Sequence, residues 1–263
     1  SFEEKANFTK VYLERIQHIV SNIHQNCTAK IIITNFAEID DGVFGQFANK
    51  TDVSFLFHNR CINVELMKMS QGIKNLFIAD VSSIQNQNGL IQFQDPKLYI
   101  NAEMDFSIDT LPFIAKSMVD IICANQGKFA KCLILDLDNT TWGGIIGDDG
   151  MEGIQIGALG IGKAFTLLQK WVKQLKERGI ILAVCSKNSE EVAKEPFEKH
   201  PDMVLKLEDI AVFVSNWETK VDNIRYIQSI LNISFDSMVF LDDNPFERNI
   251  VKENIPEVIV PDL

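Results

Sequence analysis

The sequence has little of what several classes of protein require. Its 25 lysines and arginines are outnumbered by 36 acidic residues, giving a net charge of -11, whereas nucleic-acid binding needs clustered basic side chains. No apolar run approaches the length of a membrane span, and no basic segment followed by an apolar one opens the chain as in a secretory signal. We therefore expect neither a nucleic-acid partner nor a membrane, although a local group of cations would still suit a phosphorylated substrate.

Cysteine and histidine are also scarce. The five cysteines are odd in number, widely spaced and mostly in apolar segments, which predicts buried thiols in a reducing compartment and hence a cytoplasmic protein. The four histidines lack the spacing of metal ligands and are predicted to be surface or packing residues. Because the chain begins at Ser1 and not at a methionine, we expect that upstream sequence is missing.

Helical and strand patterns alternate along the 263 residues, which predicts an α/β fold with parallel sheets. Gln126 and Gly127 form the best hinge, so we predict a smaller α/β domain over residues 1–127 and a second domain over residues 128–263. In the first domain the pattern predicts helices at 3–24, 52–70 and 111–125, strands at 29–36 and 75–80, and an irregular segment at 82–110.

The second domain has the pattern of a doubly wound, Rossmann-like parallel sheet. Strands are predicted at 131–139, 180–185 and 238–241, with shorter strand-like runs at 203–206 and 211–214. Helices are predicted at 162–178, from 189, at 219–231 and from 245. The helix from residue 189 begins with the Asn188-to-Glu191 spacing of a capping box.

The first of these strands ends in two carboxylates. Asp136 and Asp138 lie in the segment LDLDNTT and are separated by one residue, Leu137. Alternate residues of a strand point to the same side. Two like charges held together at a buried strand end are costly without a cation or a shared proton. The pair therefore predicts a metal site.

Other chemically active side chains occupy equivalent positions in the pattern. Ser186 follows the second strand, Lys220 begins a helix, and Asp242 and Asp243 follow a third strand. Ligands of open parallel sheets bind at the carboxyl ends of the strands, where carboxylates from two strands make the oxygen site that Mg²⁺ prefers. A hydroxyl and an ammonium group beside them would hold phosphate oxygens.

The order of these motifs resembles that of the haloacid dehalogenase (HAD) superfamily, whose members mostly transfer phosphoryl groups through an aspartyl-phosphate. A closer similarity is to the FkbH-like branch, and it is carried by the segments LDLDNTTWGGIIGDDGMEGIQIG, CSKN, NWETK and VFLDDNPFER. The close resemblance covers about residues 131–262, and a looser one extends back to about residue 29.

The resemblance implies specific roles. Asp136 corresponds to the nucleophile and a metal ligand, and Asp138 to the general acid and base, whose main-chain carbonyl reaches the metal. Asp242 corresponds to the remaining protein ligand of Mg²⁺, with Asp243 as an outer partner. Lys220 corresponds to the catalytic lysine that offsets charge on the phosphoryl oxygens.

Ser186 resembles the residue that holds phosphate together with Lys220. Further residues of the same motifs are predicted to lie beside the substrate, namely Asn139, Thr140, Lys187 and Asn188. Helix capping explains Asn188 equally well. We expect Trp142 and Trp217 to be packing anchors, although both lie next to these motifs.

The segment after the first strand is rich in glycine. Eight of the fourteen glycines fall between residues 143 and 162, and about twenty residues separate Thr141 from the next helix. Many superfamily members insert a cap domain here, but this length is too short for a separate core. An open site is therefore predicted, which favours a macromolecular or carrier-tethered substrate unless the first domain covers the site.

The first domain resembles the SGNH-hydrolase-like segment that precedes the phosphatase domain in FkbH-like proteins. It has no Gly-Asp-Ser block, and Asp95-Pro96-Lys97-Leu98 stands where the late Asp-x-x-His of an active esterase would be. We therefore predict an incomplete or non-catalytic domain and assign no esterase residues.

The motif residues suit three functions to different degrees. The first is a cytoplasmic Mg²⁺-dependent phosphatase acting through an aspartyl-phosphate. The second, implied by some FkbH-like relatives, is a transferase that dephosphorylates a glyceryl phosphate and loads the glyceryl unit on an acyl carrier protein; a thioester relay would need a thiol at the strand ends, and neither Cys132 nor Cys185 is well placed. The third is a phosphate-binding scaffold without turnover, which the complete acidic set disfavours.

Overall fold

A computed structural model describes residues 7–263 of the chain. It divides into two compact units, one that ends at Gln126 and one that begins at Gly127. Residues 3–6 of the first predicted helix lie outside the described part. None of the helices in residues 7–263 is long and apolar enough to cross a bilayer.

The first unit contains a small parallel sheet. Strands β1 (Ile31–Thr34) and β2 (Leu76–Ala79) pair in parallel, and helices α1 (Phe8–Asn26) and α2 (Phe55–Gly72) accompany them. Val20, Ile31 and Leu76 form one buried cluster. Two strands joined by a long helix are the minimal parallel crossover unit, so this part is the smaller α/β fold that the sequence predicts.

The prediction that residues 82–110 are irregular is wrong. The chain forms three short helices there, α3 (Val81–Asn88), α4 (Leu90–Phe93) and α5 (Pro96–Ala102), before α6 (Leu111–Asn125). Asp80 and Asp95 cap α3 and α5 by accepting hydrogen bonds from backbone N–H groups of the first turn. Capping stabilises helices whose composition is otherwise polar, which a search for apolar periodicity misses.

The second unit is built on a four-stranded parallel sheet in the order β5-β4-β3-β6. Its strands are β3 (Cys132–Leu135), β4 (Ile181–Ser186), β5 (Val212–Ser215) and β6 (Met238–Leu241). Residues 203–206 were predicted to be strand-like but do not pair with the sheet. Met203 and Leu205 are nevertheless buried. The apolar pattern of this segment is therefore due to burial in the core and not to pairing with a strand.

Helices cover both faces of this sheet. Cys132 and Ile134 of β3 pack on α10 (Lys220–Leu231) and α11 (Pro245–Asn254). Leu133 and Leu135 point to the other face, which is covered by α7 (Ile146–Gly153), α8 (Gly162–Glu177) and α9 (Glu190–Lys199). This alternation buries every residue of the strand, as in doubly wound sheets, and confirms the predicted fold class.

The cysteines are all free, but they are not all buried. Cys132 and Cys185 are buried, whereas Cys27, at the end of α1, is exposed. The prediction of a buried thiol is therefore wrong for Cys27, since this residue follows the end of α1 in an extended conformation.

Candidate active site

The register of the sheet brings two aspartates side by side. Leu135 of β3 pairs with Leu241 of β6, so the next residues of the two strands, Asp136 and Asp242, meet at the carboxyl edge. The backbone N–H of Asp136 donates to the carbonyl oxygen of Leu241 over 2.9 Å. Asp242 is fully buried and Asp136 is 9% exposed. Strand pairing therefore fixes both carboxylates.

A buried lysine lies between these carboxylates. Thr219 caps α10, and Lys220, the first residue of the helix, is 2% exposed. Its Nζ donates to Asp136 Oδ1 over 2.6 Å and to the backbone oxygen of Cys185 over 2.7 Å. Asp242 Oδ2 is 3.4 Å from the same nitrogen, yet it has no hydrogen-bond partner among the described residues.

Burial and the charges of neighbouring residues act in opposite directions on the pKa values of these three side chains. It raises the pKa of Asp136 to about 6, against the lowering effect of the Lys220 charge. Burial likewise raises the pKa of Asp242, with Lys220 again opposing it. For Lys220, burial alone would lower the pKa, but the negative charges of Asp136 and its neighbours outweigh burial and raise it. The lysine is therefore charged, and it lies between two buried carboxylates.

A third carboxylate completes the acidic group. Oxygen atoms of Asp136, Asp242 and Asp243 lie within 4.8 Å of one another. The sequence placed Asp243 outside the metal shell, but its exposed carboxylate lies as near as the others do. All three donors are oxygens, the ligand type of Mg²⁺.

The structure places Asp138 differently from Asp136. Its Oδ1 accepts hydrogen bonds from Trp142 Nε1 over 3.0 Å and from the backbone N–H of Ile146 over 3.1 Å. Its Oδ2 accepts from Asn188 Nδ2 over 2.7 Å. Three donors fix this carboxylate at the rim of the same cavity, away from the acidic cluster. Sequence reasoning missed the role of Trp142, which lies four residues beyond Asp138 in the turn after β3.

Asn188 does not cap the following helix. The N-cap of α9 is Ser189, and no side chain bonds the free N–H groups there, so the predicted capping box is wrong. The Asn188 amide instead donates to Asp138 Oδ2 and, over 3.2 Å, to Ser186 Oγ. The hydroxyl of Ser215 holds the Asn188 backbone oxygen over 2.8 Å. Buried bonding within the site thus outcompetes local capping.

Thr140 and Asn139 shape the turn after β3. Thr140 is buried and does not line the cavity; its hydroxyl accepts from the backbone N–H of Asp243 and donates to that carboxylate. Asn139 lines the cavity in a left-handed conformation with φ of 53°. Its side-chain oxygen accepts from Gly144 N over 2.9 Å. The structure therefore gives Thr140 a role in positioning Asp243.

Lys187 is already paired. Its Nζ donates to Glu247 Oε1 over 2.5 Å, and the Glu247 side chain is 11% exposed. Both residues line the cavity. Glu247 was not anticipated from the sequence, because nothing in its position on α11 distinguishes it from a solvated helix residue.

The two tryptophans have opposite environments. Trp142 is fully buried and packs edge-on against Phe197, which confirms it as a packing anchor. Trp217 is 76% exposed and lines the cavity, so the same prediction is wrong for it. The loop between β5 and α10 directs its indole away from the core.

The described residues of the second unit thus line an open cavity of about 550 Å³ at the carboxyl edge of the sheet. It brings together Asp136, Asp138, Asn139, Ser186, Lys187, Asn188, Lys220, Asp242 and Asp243, and it omits Thr140. Acidic strand ends with a buried lysine on a doubly wound sheet are the arrangement of the HAD superfamily.

Comparison with known proteins narrows this class. Residues 1–123 match the family model for the FkbH N-terminal domain. The chain is 52% identical, with a TM-score of 0.94, to the structure of the N-terminal part of BF1531 from Bacteroides fragilis, which contains a phosphatase domain complexed with Mg. The match covers 100% of this chain and 69% of that one. The chain therefore belongs to the FkbH-like branch of the HAD superfamily.

More distant structures overlap half of the chain. A Clostridium difficile putative phosphatase is 12% identical with a TM-score of 0.36, covering 52% of this chain and 96% of its own. The HAD family enzyme bt-2542 of Bacteroides thetaiotaomicron, solved with magnesium and inorganic phosphate, is 14% identical with a TM-score of 0.35, covering 51% and 93%. No protein of the curated set matches the chain.

Proposed function

We propose that this protein is a Mg²⁺-dependent phosphatase that forms an aspartyl-phosphate on Asp136. The observation that carries the proposal is the acidic cluster of Asp136, Asp242 and Asp243 beside the buried ammonium group of Lys220. The Mg-bound phosphatase domain of the Bacteroides fragilis relative supports it.

The cluster fits a divalent cation. Asp242 Oδ2 is buried without a hydrogen-bond partner among the described residues, and such an atom is costly unless a ligand satisfies it. Asp136 and Asp242 would hold Mg²⁺, with Asp243 beside them and the main-chain carbonyl of Asp138 as the ligand that the family resemblance implies. Bound there, the cation would neutralise charge on the phosphoryl oxygens.

The side chains can carry out a two-step transfer. In the first step an Asp136 oxygen bonds to phosphorus as the bond to the leaving oxygen breaks, and Asp138 gives its proton to that oxygen. In the second step a water oxygen attacks phosphorus, passes its proton to Asp138, and releases phosphate with Asp136 restored. Lys220 and Ser186 hold the phosphoryl oxygens in both steps.

The surroundings of the site suit a large substrate. Between β3 and α8 the chain builds only the short helical segment α7, which is kinked at Gly150, and no cap domain in residues 136–161. A phosphate carried on a macromolecule or a tethered group can enter such a site. This supports a macromolecular or carrier-tethered phosphomonoester as substrate.

Phosphate release from a generic aryl phosphate tests the proposal. We expect turnover with Mg²⁺, none with EDTA, and a fall of at least about 10³-fold in Asp136→Asn, since removal of a nucleophile disables the unit of residues. Asp236→Asn, at the exposed amino end of β6, is the matched control and should keep full activity. Equal turnover in both variants would refute the role of Asp136.

Glyceryl transfer to an acyl carrier protein is the second candidate, and the match to the FkbH N-terminal domain favours it. A protein-bound thioester is opposed by the thiols, because burial raises the pKa of both Cys132 and Cys185 to about 12. Incubation with 1,3-bisphosphoglycerate and a carrier protein should add glyceryl mass to the carrier if transfer occurs. An unmodified carrier alongside free phosphate would leave hydrolysis as the reaction.

A further inference from the structure

Trp217 is an exposed indole on a firmly held loop. The Asn216 side chain accepts from the backbone N–H of Glu218 over 2.9 Å and exchanges hydrogen bonds with the Asn223 amide over 2.8 and 3.1 Å. The Asn216 N–H donates to the backbone oxygen of Ser186 over 3.2 Å. A loop tied down on both sides still leaves Trp217 76% exposed at the cavity. Exposure alone is common for apolar side chains of this chain, but Trp217 lines the cavity that holds the acidic cluster, and aromatic side chains that line such cavities contact ligands.

Other apolar side chains share the outer part of the cavity. Ile145, which is 42% exposed, and the half-buried Val192 line it together with Trp217. The volume of about 550 Å³ is much larger than one phosphoryl group needs, so part of the leaving group also lies in the cavity. The space beyond the phosphoryl position is therefore bordered by apolar groups.

The charged side chains of the cavity leave little for a second anion. Its two lysines are both engaged, Lys220 with Asp136 and Lys187 with Glu247. The exposed Asp148 adds a carboxylate to the rim. Among the described lining residues no cation is free to hold a second phosphate or a carboxylate, and such a group would meet like charge.

We infer that the substrate is a phosphomonoester whose leaving group is uncharged and aromatic or apolar, with Trp217 as its specificity-determining contact. The inference rests on the proposed phosphatase function and names the substrate class of that site. The indole stacks on the leaving group, while the Lys187–Glu247 pair keeps Lys187 from attracting a second anion.

The ratio of kcat/KM for two substrates separates the contact with Trp217 from the phosphoryl-transfer step itself. We would compare phenyl phosphate with acetyl phosphate in wild type, Trp217→Ala and Trp217→Phe, because differences in leaving-group chemistry cancel between variants. The ratio should fall about 5–10-fold in Trp217→Ala and recover in part in Trp217→Phe, as expected for one aromatic contact. Trp171→Ala, a half-exposed tryptophan on α8 that does not line the cavity, is the matched control.

A second arm tests charge. Phenyl phosphate should exceed 4-carboxyphenyl phosphate by about 10-fold in kcat/KM, because the carboxylate of the second ester would lie among like charges of the cavity. Glu247→Gln frees Lys187 and should narrow this preference several-fold. A wild-type preference for the carboxylated ester, or a phenyl-to-acetyl ratio that falls equally in Trp171→Ala and Trp217→Ala, would overturn the inference.

Measurements of ligand binding test the role of Trp217 without any turnover. Phenylphosphonate should bind the Mg²⁺-loaded wild-type protein about 5–10-fold more tightly than methylphosphonate does, and Trp217→Ala should remove that difference. If no ester is hydrolysed, the phosphatase proposal fails, while the phosphonate comparison still decides the role of Trp217. Equal affinity for both phosphonates in wild type would overturn the inference with the phosphatase intact.

Discussion

Replacement of Lys220 by methionine removes the cation between two buried carboxylates while keeping an apolar chain of similar length. The ammonium group lies 2.6 Å from Asp136 Oδ1 and 3.4 Å from Asp242 Oδ2. At an effective dielectric constant of about 20, the pair at 3.4 Å interacts by about 5 kcal/mol before solvation is counted. Desolvation offsets part of this, and breaking such a buried pair costs about 3–5 kcal/mol.

Calorimetric unfolding in EDTA measures this cost. Since about 1 kcal/mol moves the midpoint of a domain of this size by roughly 3 °C, Lys220→Met should unfold roughly 10–15 °C below wild type. Mg²⁺ should raise the midpoint of Lys220→Met more than that of wild type, because it then supplies the missing positive charge. The double variant Lys220→Met/Asp136→Asn should recover part of the lost unfolding midpoint in EDTA, because one buried negative charge is then removed as well.

Lys187→Met is the control, since Lys187 is half-exposed and its pair with Glu247 contributes about 1 kcal/mol or less. If Lys220→Met unfolds within about 1 kcal/mol of wild type in EDTA, then Asp136 and Asp242 are not both held as buried charges. The assignment of Lys220 as their structural counterion would then be refuted.

Three further predictions concern other residues of the second unit. Asn188→Ala should lower kcat/KM about 10–100-fold, as loss of an outer partner does, because Asp138 loses its 2.7 Å hydrogen bond. Asp209→Asn should lower the free energy of unfolding by about 1–3 kcal/mol at pH 7 in urea titrations, because the buried carboxylate accepts from Lys176 over 2.7 Å. Gly162→Ala should cost about 1–3 kcal/mol in the same titrations, because its Cβ would lie 3.0 Å from backbone.

The pH dependence of the Asp209 variant has a definite sign. Burial alone would raise the pKa of Asp209, but hydrogen bonds from Lys176, the Lys206 backbone and Lys173 lower it below 3.8. Its stabilising effect is therefore present above pH of about 4 and is lost as pH falls through the lowered pKa. The difference between wild type and Asp209→Asn should shrink below that pH, and a constant difference would contradict the argument.

The predictions for Asn188→Ala and Gly162→Ala have their own controls. Asn188→Ala should also lower the free energy of unfolding in urea titrations by about 1–3 kcal/mol, because Asn188 is buried and hydrogen-bonded. A kcat/KM equal to that of wild type would show that Asp138 does not depend on this amide. Gly147→Ala, where a Cβ meets only one side-chain oxygen at 3.6 Å, should be tolerated. Equal stability losses at Gly147 and Gly162 would refute the close-approach argument.

The sequence was informative where chemistry and periodicity coincide. Asp136 and Asp242 follow apolar strands, and the parallel sheet must bring such strand ends to one edge. The environments of Trp217 and Asn188 could not be predicted in this way. A tryptophan beside a motif fits a core or a pocket equally well, and an asparagine before a helix fits a cap or a site residue. The Lys187–Glu247 pair joins residues sixty positions apart in the chain, so only the packing of α11 reveals it.

Trapping of the phosphorylated protein tests the central claim most directly. Asp138→Asn should still be phosphorylated by 4-nitrophenyl phosphate with Mg²⁺, because that leaving group needs no proton, while the water that completes turnover is no longer activated. After an acid quench, mass spectrometry should find one phosphoryl group on the peptide that contains Asp136. Phosphate release by wild type with no such adduct in Asp138→Asn, or an adduct that persists in Asp136→Asn, would contradict the account.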